Sequence, residues 1–205
     1  MSQVLARIDR AMRRVMPRSK ERYFSAEKWD SQWSSGYDLN KTQEDARYAT
    51  LMALMRRYEG EGPLLDVGCG DGLLEERYRQ FSQIEVVAFD YSAAAIEQAN
   101  ARQLPGVSFL CADSRTFRPS RKFSMVVLNE SLYYVDDYLG LMKTLSDSLA
   151  SQGVILVSMH EGAIPNRIWK NLLRTHAMVH GVAIHDESTG ARWHIRALRS
   201  IQAQR

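Results

Sequence analysis

The chain has little that would anchor it in a membrane, cross-link it or hold a metal. Its 205 residues contain no apolar run of 18 residues, which is about the length needed to span a bilayer. The N-terminus is basic but has no continuous hydrophobic segment, so it does not resemble a secretory signal. Only two cysteines occur, Cys69 and Cys111, and no Cys/His cluster has the spacing of metal ligands. We therefore expect a reduced, metal-free, cytoplasmic protein.

Positive charge is concentrated in residues 1–22, which carry seven basic and two acidic side chains. This segment has a net charge of +5, and because the whole chain is +3, the remaining 183 residues sum to −2. A near-neutral body argues against a broad nucleic-acid-binding face. Apolar residues between Val4 and Met16 recur at steps of three and four. They predict a basic amphipathic helix over residues 1–17 that docks on the domain, mediates self-association, or contacts a partner or a membrane surface.

Residues 64–72, with the sequence LLDVGCGDG, carry most of the functional information. The apolar run before the glycines predicts a short, buried, parallel strand. Gly68 and Gly70 allow the backbone to turn sharply and approach a ligand, and the following helix directs its free N–H groups at that turn. A dinucleotide-binding motif would have glycine at position 73, where Leu73 stands. Asp66 favours a cationic ligand, or one that carries hydroxyls and amines.

Polar side chains follow the other predicted strands of the chain. Asp90, which ends the second strand, can hydrogen-bond both hydroxyls of a ribose. Asp113 follows the third strand, Asn129 and Glu130 follow the fourth, and His160 follows the fifth. Apolar strands that alternate with helices place these residues together at the carboxyl edge of a parallel sheet. The five strands are predicted at 64–67, 84–90, 107–114, 125–128 and 154–159.

The glycine motif and the acids that follow it resemble the class I S-adenosylmethionine (SAM) methyltransferases, from about Trp29 to Leu198. The resemblance implies an α/β fold: a doubly wound, Rossmann-like, seven-stranded sheet, mostly parallel with an antiparallel last strand and with helices on both faces. Strands predicted at 178–185 and 192–199 would form the terminal hairpin. The methyltransferase domain would span residues 42–205, preceded by an irregular, aromatic cover segment over residues 18–41. The rings of this segment could equally pin the chain to the domain or cover a cofactor pocket.

The resemblance also implies a set of residues that bind SAM, whose product is S-adenosylhomocysteine (SAH), without a metal. In the family, the acid that matches Asp113 accepts a hydrogen bond from the adenine amino group. The arginine that matches Arg47 binds the SAM carboxylate. From the residues alone, Arg47 could equally be a solvated helix arginine or pair with Glu44 or Asp45. The implied SAM-binding set is Arg47, Asp66, Gly68, Gly70, Asp90, Tyr91, Asp113, Ser114 and Asn129.

The acceptor is expected against the segment after the fourth strand. Glu130 and the Leu-Tyr-Tyr that follows Ser131 resemble the nodulation-type amino-sugar N-methyltransferases, whereas Arg47 resembles the ubiquinone-biosynthesis-type O-methyltransferases. Glu130 could be a general base, an acid that orients the substrate, or a carboxylate at a helix N-terminus. His160 is either a second candidate base or a structural residue. The candidate acceptor-binding aromatics are Trp29, Trp33, Tyr37, Tyr133 and Tyr134.

Taken together, these features favour a methyltransferase that acts on an amine or hydroxyl of a sugar, an oligosaccharide or a secondary metabolite. Two alternatives stay open: an RNA or protein methyltransferase that grips its polymer with the basic tail, and a non-catalytic SAM-binding partner subunit. Residues 129–134 lack the Asn/Asp-Pro-Pro-Tyr run of base and glutamine N-methyltransferases, which disfavours the first. The intact Gly68, Gly70, Asp90 and Asp113 disfavour the second.

Overall fold

The computed structural model describes residues 25–37 and 44–201. The basic helix predicted over residues 1–17 lies outside this part, as do residues 18–24 and 38–41 of the predicted cover segment. The strands are β1 (Leu64–Val67), β2 (Val86–Asp90), β3 (Val107–Cys111), β4 (Phe123–Asn129), β5 (Leu149–His160), β6 (His176–His185) and β7 (Arg192–Ser200). The helices are α1 (Ala26–Ser34), α2 (Asp45–Tyr58), α3 (Leu73–Arg79), α4 (Ala93–Ala101), α5 (Tyr138–Asp147) and α6 (Ala163–Leu172), with a 3₁₀ turn at Leu132–Tyr134.

All seven strands form one sheet in the order β3-β2-β1-β4-β5-β7-β6. Strands β1 to β5 pair in parallel, whereas β7 is antiparallel to both of its neighbours, β5 and β6. This arrangement confirms the predicted fold class. The strand order reverses between β1 and β4, and ligands of open α/β sheets bind at the carboxyl ends of the strands at such a reversal. The topology therefore predicts a ligand site at the carboxyl ends of β1 and β4.

Helices cover both faces of the sheet, and successive residues of a strand pack on opposite sides. On one face, Leu64 of β1 packs in a cluster with residues of α2, α3 and α4. On the other face, Leu65 packs with residues of α5 and α6. Burying a leucine fully contributes roughly 1.5–3 kcal/mol, so the continuous apolar runs of the central strands are a large part of the domain's stability. Within the described residues, no helix combines the length and the apolar character needed to cross a membrane.

One prediction of local structure is wrong. The cover segment was expected to be irregular, but its described part contains helix α1, Ala26–Ser34. Trp29 and Trp33 are four residues apart, which places their rings on the same helix face. Trp33 is buried, and Gln98 of α4 donates a hydrogen bond to its carbonyl over 3.3 Å. Trp29 and Trp33 therefore lie on the inner face of a docked helix and not in an irregular segment.

Candidate active site

A cavity of about 180 Å³ lies at the carboxyl edge of the sheet, where the strand order reverses. Its walls come from α1, α2, the loop after β1, the tip of β2 and the segment after β4. The cavity brings together most of the residues predicted from the sequence, but Asp113 and His160 are not among those that line it. The predicted residues that do line it are Trp29, Trp33, Tyr37, Arg47, Asp66, Gly68, Gly70, Asp90, Tyr91, Ser114, Asn129, Glu130, Tyr133 and Tyr134.

The loop after β1 is packed too closely for any residue but glycine at its first turn. Gly68 has φ +81°, and a Cβ added there would lie 2.5 Å from Cβ of Ser131. The Ser131 hydroxyl in turn donates a hydrogen bond of 2.6 Å to the carbonyl of Val67, at the end of β1. Gly68 therefore lets the glycine loop and the segment after β4 form one continuous wall. Ser131 was not predicted as a site residue.

Asp90 both lines the cavity and holds the glycine loop in place. Its Oδ2 accepts a hydrogen bond of 2.9 Å from the Gly70 backbone N–H, and its Oδ1 accepts one of 2.9 Å from Ser92. Burial raises the pKa of Asp90, while these two backbone donors act in the opposite direction. The tip of β2 and the loop after β1 are thus one hydrogen-bonded unit.

A second carboxyl group, unforeseen from the sequence, lies beside Asp66 beneath the loop. Glu75 of α3 is 4% exposed and Asp66 is 1% exposed. The two carboxyl groups lie against each other, and within the described residues no other side chain hydrogen-bonds to either of them. Burial, reinforced by the neighbouring acid, raises the pKa of Glu75 well above its ordinary value, and burial raises that of Asp66 to about 6. Two such carboxyl groups cannot both ionise readily, so Glu75 holds a proton next to Asp66.

Arg47 is a buried cavity residue, so its interpretation as a solvated helix arginine is wrong. Its Nε donates a hydrogen bond of 2.8 Å to Oε2 of Glu44, its Nη2 contacts the same oxygen, and its Nη1 donates to Oδ1 of Asn129. Its guanidinium also stacks 4.5 Å from the centre of the Tyr48 ring. Burial alone would lower the pKa of Arg47, but the carboxylates of Glu130 and Glu44 raise it, which keeps the side chain charged.

Glu130 is held by four donors at the end of β4. Its Oε2 accepts hydrogen bonds of 3.1 Å from the Tyr133 hydroxyl, 3.1 Å from the His160 backbone N–H and 3.2 Å from His160 Nδ1. Its Oε1 accepts one of 3.1 Å from the Ser158 hydroxyl. Burial alone would raise the pKa of Glu130, but the hydrogen bond from His160 and the charge of Arg47 lower it below its ordinary value. A carboxylate that is both ionised and fixed is a poor base and a good electrostatic partner.

The backbone at Glu130 is strained. Its φ is +57°, in the left-handed region that a side chain with a Cβ rarely occupies. Such a conformation costs roughly 1–3 kcal/mol and persists only where surrounding contacts enforce it. The backbone N–H of Glu130 donates a hydrogen bond of 3.0 Å to the carbonyl of Ser158 on β5. The parallel pairing of β4 with β5 therefore turns this side chain into the cavity.

His160 lies behind Glu130 rather than on the cavity wall. The edge of its ring packs on Tyr133 with 4.9 Å between ring centres, and its Nδ1 faces the Glu130 carboxylate. Its ring therefore contacts the Glu130 carboxylate and is not among the residues that line the cavity. The structure thus separates the two predicted catalytic residues into one that faces the cavity and one that supports it.

Aromatic rings surround the Glu130 side of the cavity. Trp29 packs edge-on against Tyr134 with 4.9 Å between ring centres, and Tyr134 lies 4.5 Å from Tyr133. Trp33 packs edge-on against Tyr37 at 5.1 Å. These rings cover the cavity with apolar surface that excludes water from whatever binds beneath.

Helix α1 is attached to the other side of the same cavity through Asp30. Its Oδ1 accepts a hydrogen bond of 2.5 Å from the Ser92 hydroxyl and one of 3.2 Å from the Ala94 backbone N–H. The carboxylate therefore caps the N-terminus of α4, where the helix dipole favours negative charge. Ser92 itself accepts a hydrogen bond from Ala95 N–H and is the N-cap of α4.

Of the three predicted SAM-binding residues that directly follow β2 and β3, two line the cavity. Tyr91 and Ser114 line the cavity, but Asp113 forms an ion pair with Arg115 through Nη2 and Oδ2, 2.6 Å apart. Arg115 also donates to the Tyr91 hydroxyl over 3.3 Å. Cys69 lines the cavity too, but burial raises the pKa of its thiol well above the ordinary value, so it is not poised as a nucleophile.

Comparison with known proteins identifies the fold and the family. Residues 39–200 match the family described as "Methyltransferase domain". The chain is similar to the trans-aconitate 2-methyltransferase of Methylobacterium radiotolerans, with 36% identity over 122 residues, which are 57% of this chain and 45% of that protein. The Yersinia pestis enzyme of the same name is 36% identical over 95 residues, 46% of this chain and 36% of that protein. The match spans less than half the length of either relative.

Solved structures show the same fold at low sequence identity. The N-methyltransferase NodS from Bradyrhizobium japonicum, in complex with SAH, superposes with a TM-score of 0.70 and 19% identity, covering 89% of this chain and all of that one. A SAM-dependent methyltransferase from Geobacter sulfurreducens, also with SAH, gives a TM-score of 0.66 and 15% identity, covering 84% and 97%. Because the family match extends over residues 39–200, the chain belongs to the class I SAM-dependent methyltransferases.

Proposed function

We propose that this protein transfers a methyl group from SAM to an amine or hydroxyl of a small molecule. The observation that carries the proposal is the composition of the cavity at the strand-order reversal. A glycine loop, a strand-end carboxylate and a buried arginine meet there beside the buried carboxyl group of Asp66. The small-molecule acceptor is supported by the trans-aconitate 2-methyltransferase relatives.

The polar groups of the cavity fit the polar groups of SAM. SAM carries an ammonium, a carboxylate, a ribose and a sulfonium. The Asp66 oxygens would accept from the ammonium, and Arg47, which has N–H groups beyond those used on Glu44 and Asn129, would hold the carboxylate. Asp90 at the tip of β2 would accept from the ribose hydroxyls. With Glu130, the cavity wall has more acidic than basic side chains, which suits a ligand with a net positive charge.

The contribution of the chain to catalysis is to bind, orient and exclude water. SAM, when bound, supplies a methyl group already activated by its positively charged sulfur. Arg47, Asn129 and the Asp90-anchored loop fix one side of the cavity, and the rings of Trp29 and Tyr134 close the other. Holding two reactants in near-attack geometry supplies a large part of the barrier reduction for such a displacement. We infer that Glu130 and the surrounding aromatics face the acceptor.

Calorimetric titration with SAM, SAH and NAD tests the proposal directly. We expect one site per chain for SAM and SAH, and a higher melting temperature in their presence, because a ligand of the native state stabilises it. Asp90→Asn should weaken SAH binding by about 10–100-fold, since a charge-assisted hydrogen bond contributes roughly 1.5–3 kcal/mol. Asp147→Asn, at a surface ion pair with Lys143, is the matched control and should bind normally. Binding of NAD without SAM or SAH would overturn the assignment.

A further inference from the structure

We propose that the methyl acceptor is an amine, and that the Glu130 carboxylate contacts the acceptor nitrogen and stabilises the positive charge that forms on it. This inference rests on the proposed function and narrows it to one acceptor class. It depends on three features of the described residues: the charges that line the cavity, the hydrogen bonds that fix Glu130, and the position of His160.

The charges of the cavity wall disfavour an anionic acceptor. The charged side chains that line it are Arg47, Asp66, Asp90 and Glu130. The one cation among these described side chains contacts Glu44 and Asn129, and its remaining N–H groups are assigned to the SAM carboxylate. A carboxylate acceptor beside Glu130 would meet like charge with no second arginine or lysine on the described wall to offset it. The cavity therefore differs in charge from a site suited to the tricarboxylate named in its relatives' activity.

A hydroxyl acceptor would need a base, and the described wall beside Glu130 offers none that is free to act. Glu130 is fixed in its ionised form by donors from Tyr133, Ser158 and His160. His160 itself is not on the wall, and burial raises the pKa of both Tyr133 and Tyr134. The remaining wall carboxyls lie in the other half of the cavity, where Asp90 binds Gly70 and Ser92, and Asp66 lies against Glu75.

Methylation of an amine matches this arrangement. The lone pair of a neutral amine forms the N–C bond as the C–S bond breaks, and that electron pair stays on sulfur. Positive charge thus moves from sulfur to nitrogen, and the extra proton leaves to water afterwards. A pre-oriented carboxylate next to the nitrogen stabilises the charge more in the transition state than in the ground state, which accelerates the step. The faces of Tyr134 and Trp29 add a favourable environment for a cation.

Sinefungin is a probe that needs no knowledge of the acceptor. This SAM analogue carries an amine where SAM carries the transferred methyl group, whereas SAH carries nothing there. We expect the wild-type protein to bind sinefungin at least 10-fold more tightly than SAH by calorimetry. In Glu130→Gln the ratio of the two dissociation constants should fall by about 10–100-fold, as expected for loss of one charge-assisted contact.

Matched variants separate loss of charge from loss of structure. Glu85→Gln makes the same change at a surface pair with Arg121 and should leave the ratio unchanged. Should Glu130→Gln not fold, Glu130→Asn is the second variant, because asparagine tolerates the positive φ of this position. SAH binding and the melting temperature report folding in each case.

Turnover of matched acceptors completes the test. Amines, alcohols and carboxylates of the same skeleton, such as glucosamine, glucose and gluconate, or phenethylamine, phenylethanol and phenylpropionate, are incubated with labelled SAM. Methylation or SAH-dependent binding of amines alone supports the proposal. Methylation of an alcohol or a carboxylate, or a sinefungin ratio that is equal in wild type and Glu130→Gln, overturns it. Failure to bind SAM and SAH at all would instead overturn the proposed function.

Discussion

The two halves of the cavity are built in different ways. The half over β1 and β2 is built around backbone groups, the Gly68 turn and the Gly70 N–H, which the Asp90 carboxylate holds in place. The half over β4 and β5 is made of side chains that come from distant parts of the chain, such as Glu130 and Trp29. A backbone site leaves little room for variation, whereas a side-chain site can change without altering the fold. The difference explains why the shape of the first half can be predicted from a local sequence motif. The side-chain contacts of the second half depend on the folded structure.

The largest expected effect comes from adding a methyl group to the backbone half. In Gly68→Ala the new Cβ would lie 2.5 Å from Ser131 Cβ at a positive φ. Overpacking and strain together cost roughly 2–5 kcal/mol, and we expect SAH affinity to fall by 100-fold or more. Calorimetry and denaturant unfolding measure the two effects.

Gly190→Ala is the control for Gly68→Ala, because Gly190 also has a positive φ, +73°, but nothing lies within 4 Å of its added Cβ. It should cost only about 1–2 kcal/mol of stability from backbone strain and leave SAH affinity intact. Equal losses of SAH affinity in the two variants would mean that close packing at Gly68 does not shape the cofactor half.

A smaller effect is expected in the side-chain half. Trp29→Ala removes the ring that packs edge-on against Tyr134. Aromatic pairs contribute roughly 0.5–1.5 kcal/mol beyond their buried area, so we expect the acceptor KM to rise about 3–10-fold while SAH affinity changes little. Steady-state kinetics with an acceptor identified in the turnover experiment would measure the effect. The exposed Phe81, replaced by alanine, serves as control. A loss of SAH affinity with an unchanged acceptor KM would assign Trp29 to the cofactor half of the cavity and contradict this prediction.

The smallest effect concerns the protonated carboxyl pair under the glycine loop. Between about pH 4 and pH 7 the unfolded chain releases protons that Asp66 and Glu75 retain in the native state, because burial raises their pKa values. The free energy of unfolding should therefore fall as pH rises through this range, and Glu75→Gln should remove part of that fall. Urea unfolding at pH 5 and pH 7 measures it, with exposed Glu97→Gln as control. An identical pH dependence in the wild type, Glu75→Gln and Glu97→Gln would contradict the raised pKa of Glu75.

The sequence predicted what is local along the chain. The fold class, the glycine turn and the strand-end residues Asp90 and Glu130 follow from patterns of a few residues, and the structure places both acids on the cavity wall. The role of Glu130 could not be predicted, because its donors arrive through the pairing of β4 with β5. Glu75 was not predicted as a buried site residue. An acid in the first turn of a helix is normally exposed to solvent, where the helix dipole stabilises its charge. Asp113 was placed by resemblance; it forms an ion pair with Arg115, and its contact with adenine stays a prediction.

Asp30 has a consequence for how the two halves of the cavity are joined. The carboxylate connects α1 to Ser92 and to the N-terminus of α4, two residues beyond Asp90. Helix α1 also carries Trp29 and Trp33, which line the cavity. These polar contacts therefore couple the aromatic wall of the cavity to the strand end that carries Asp90.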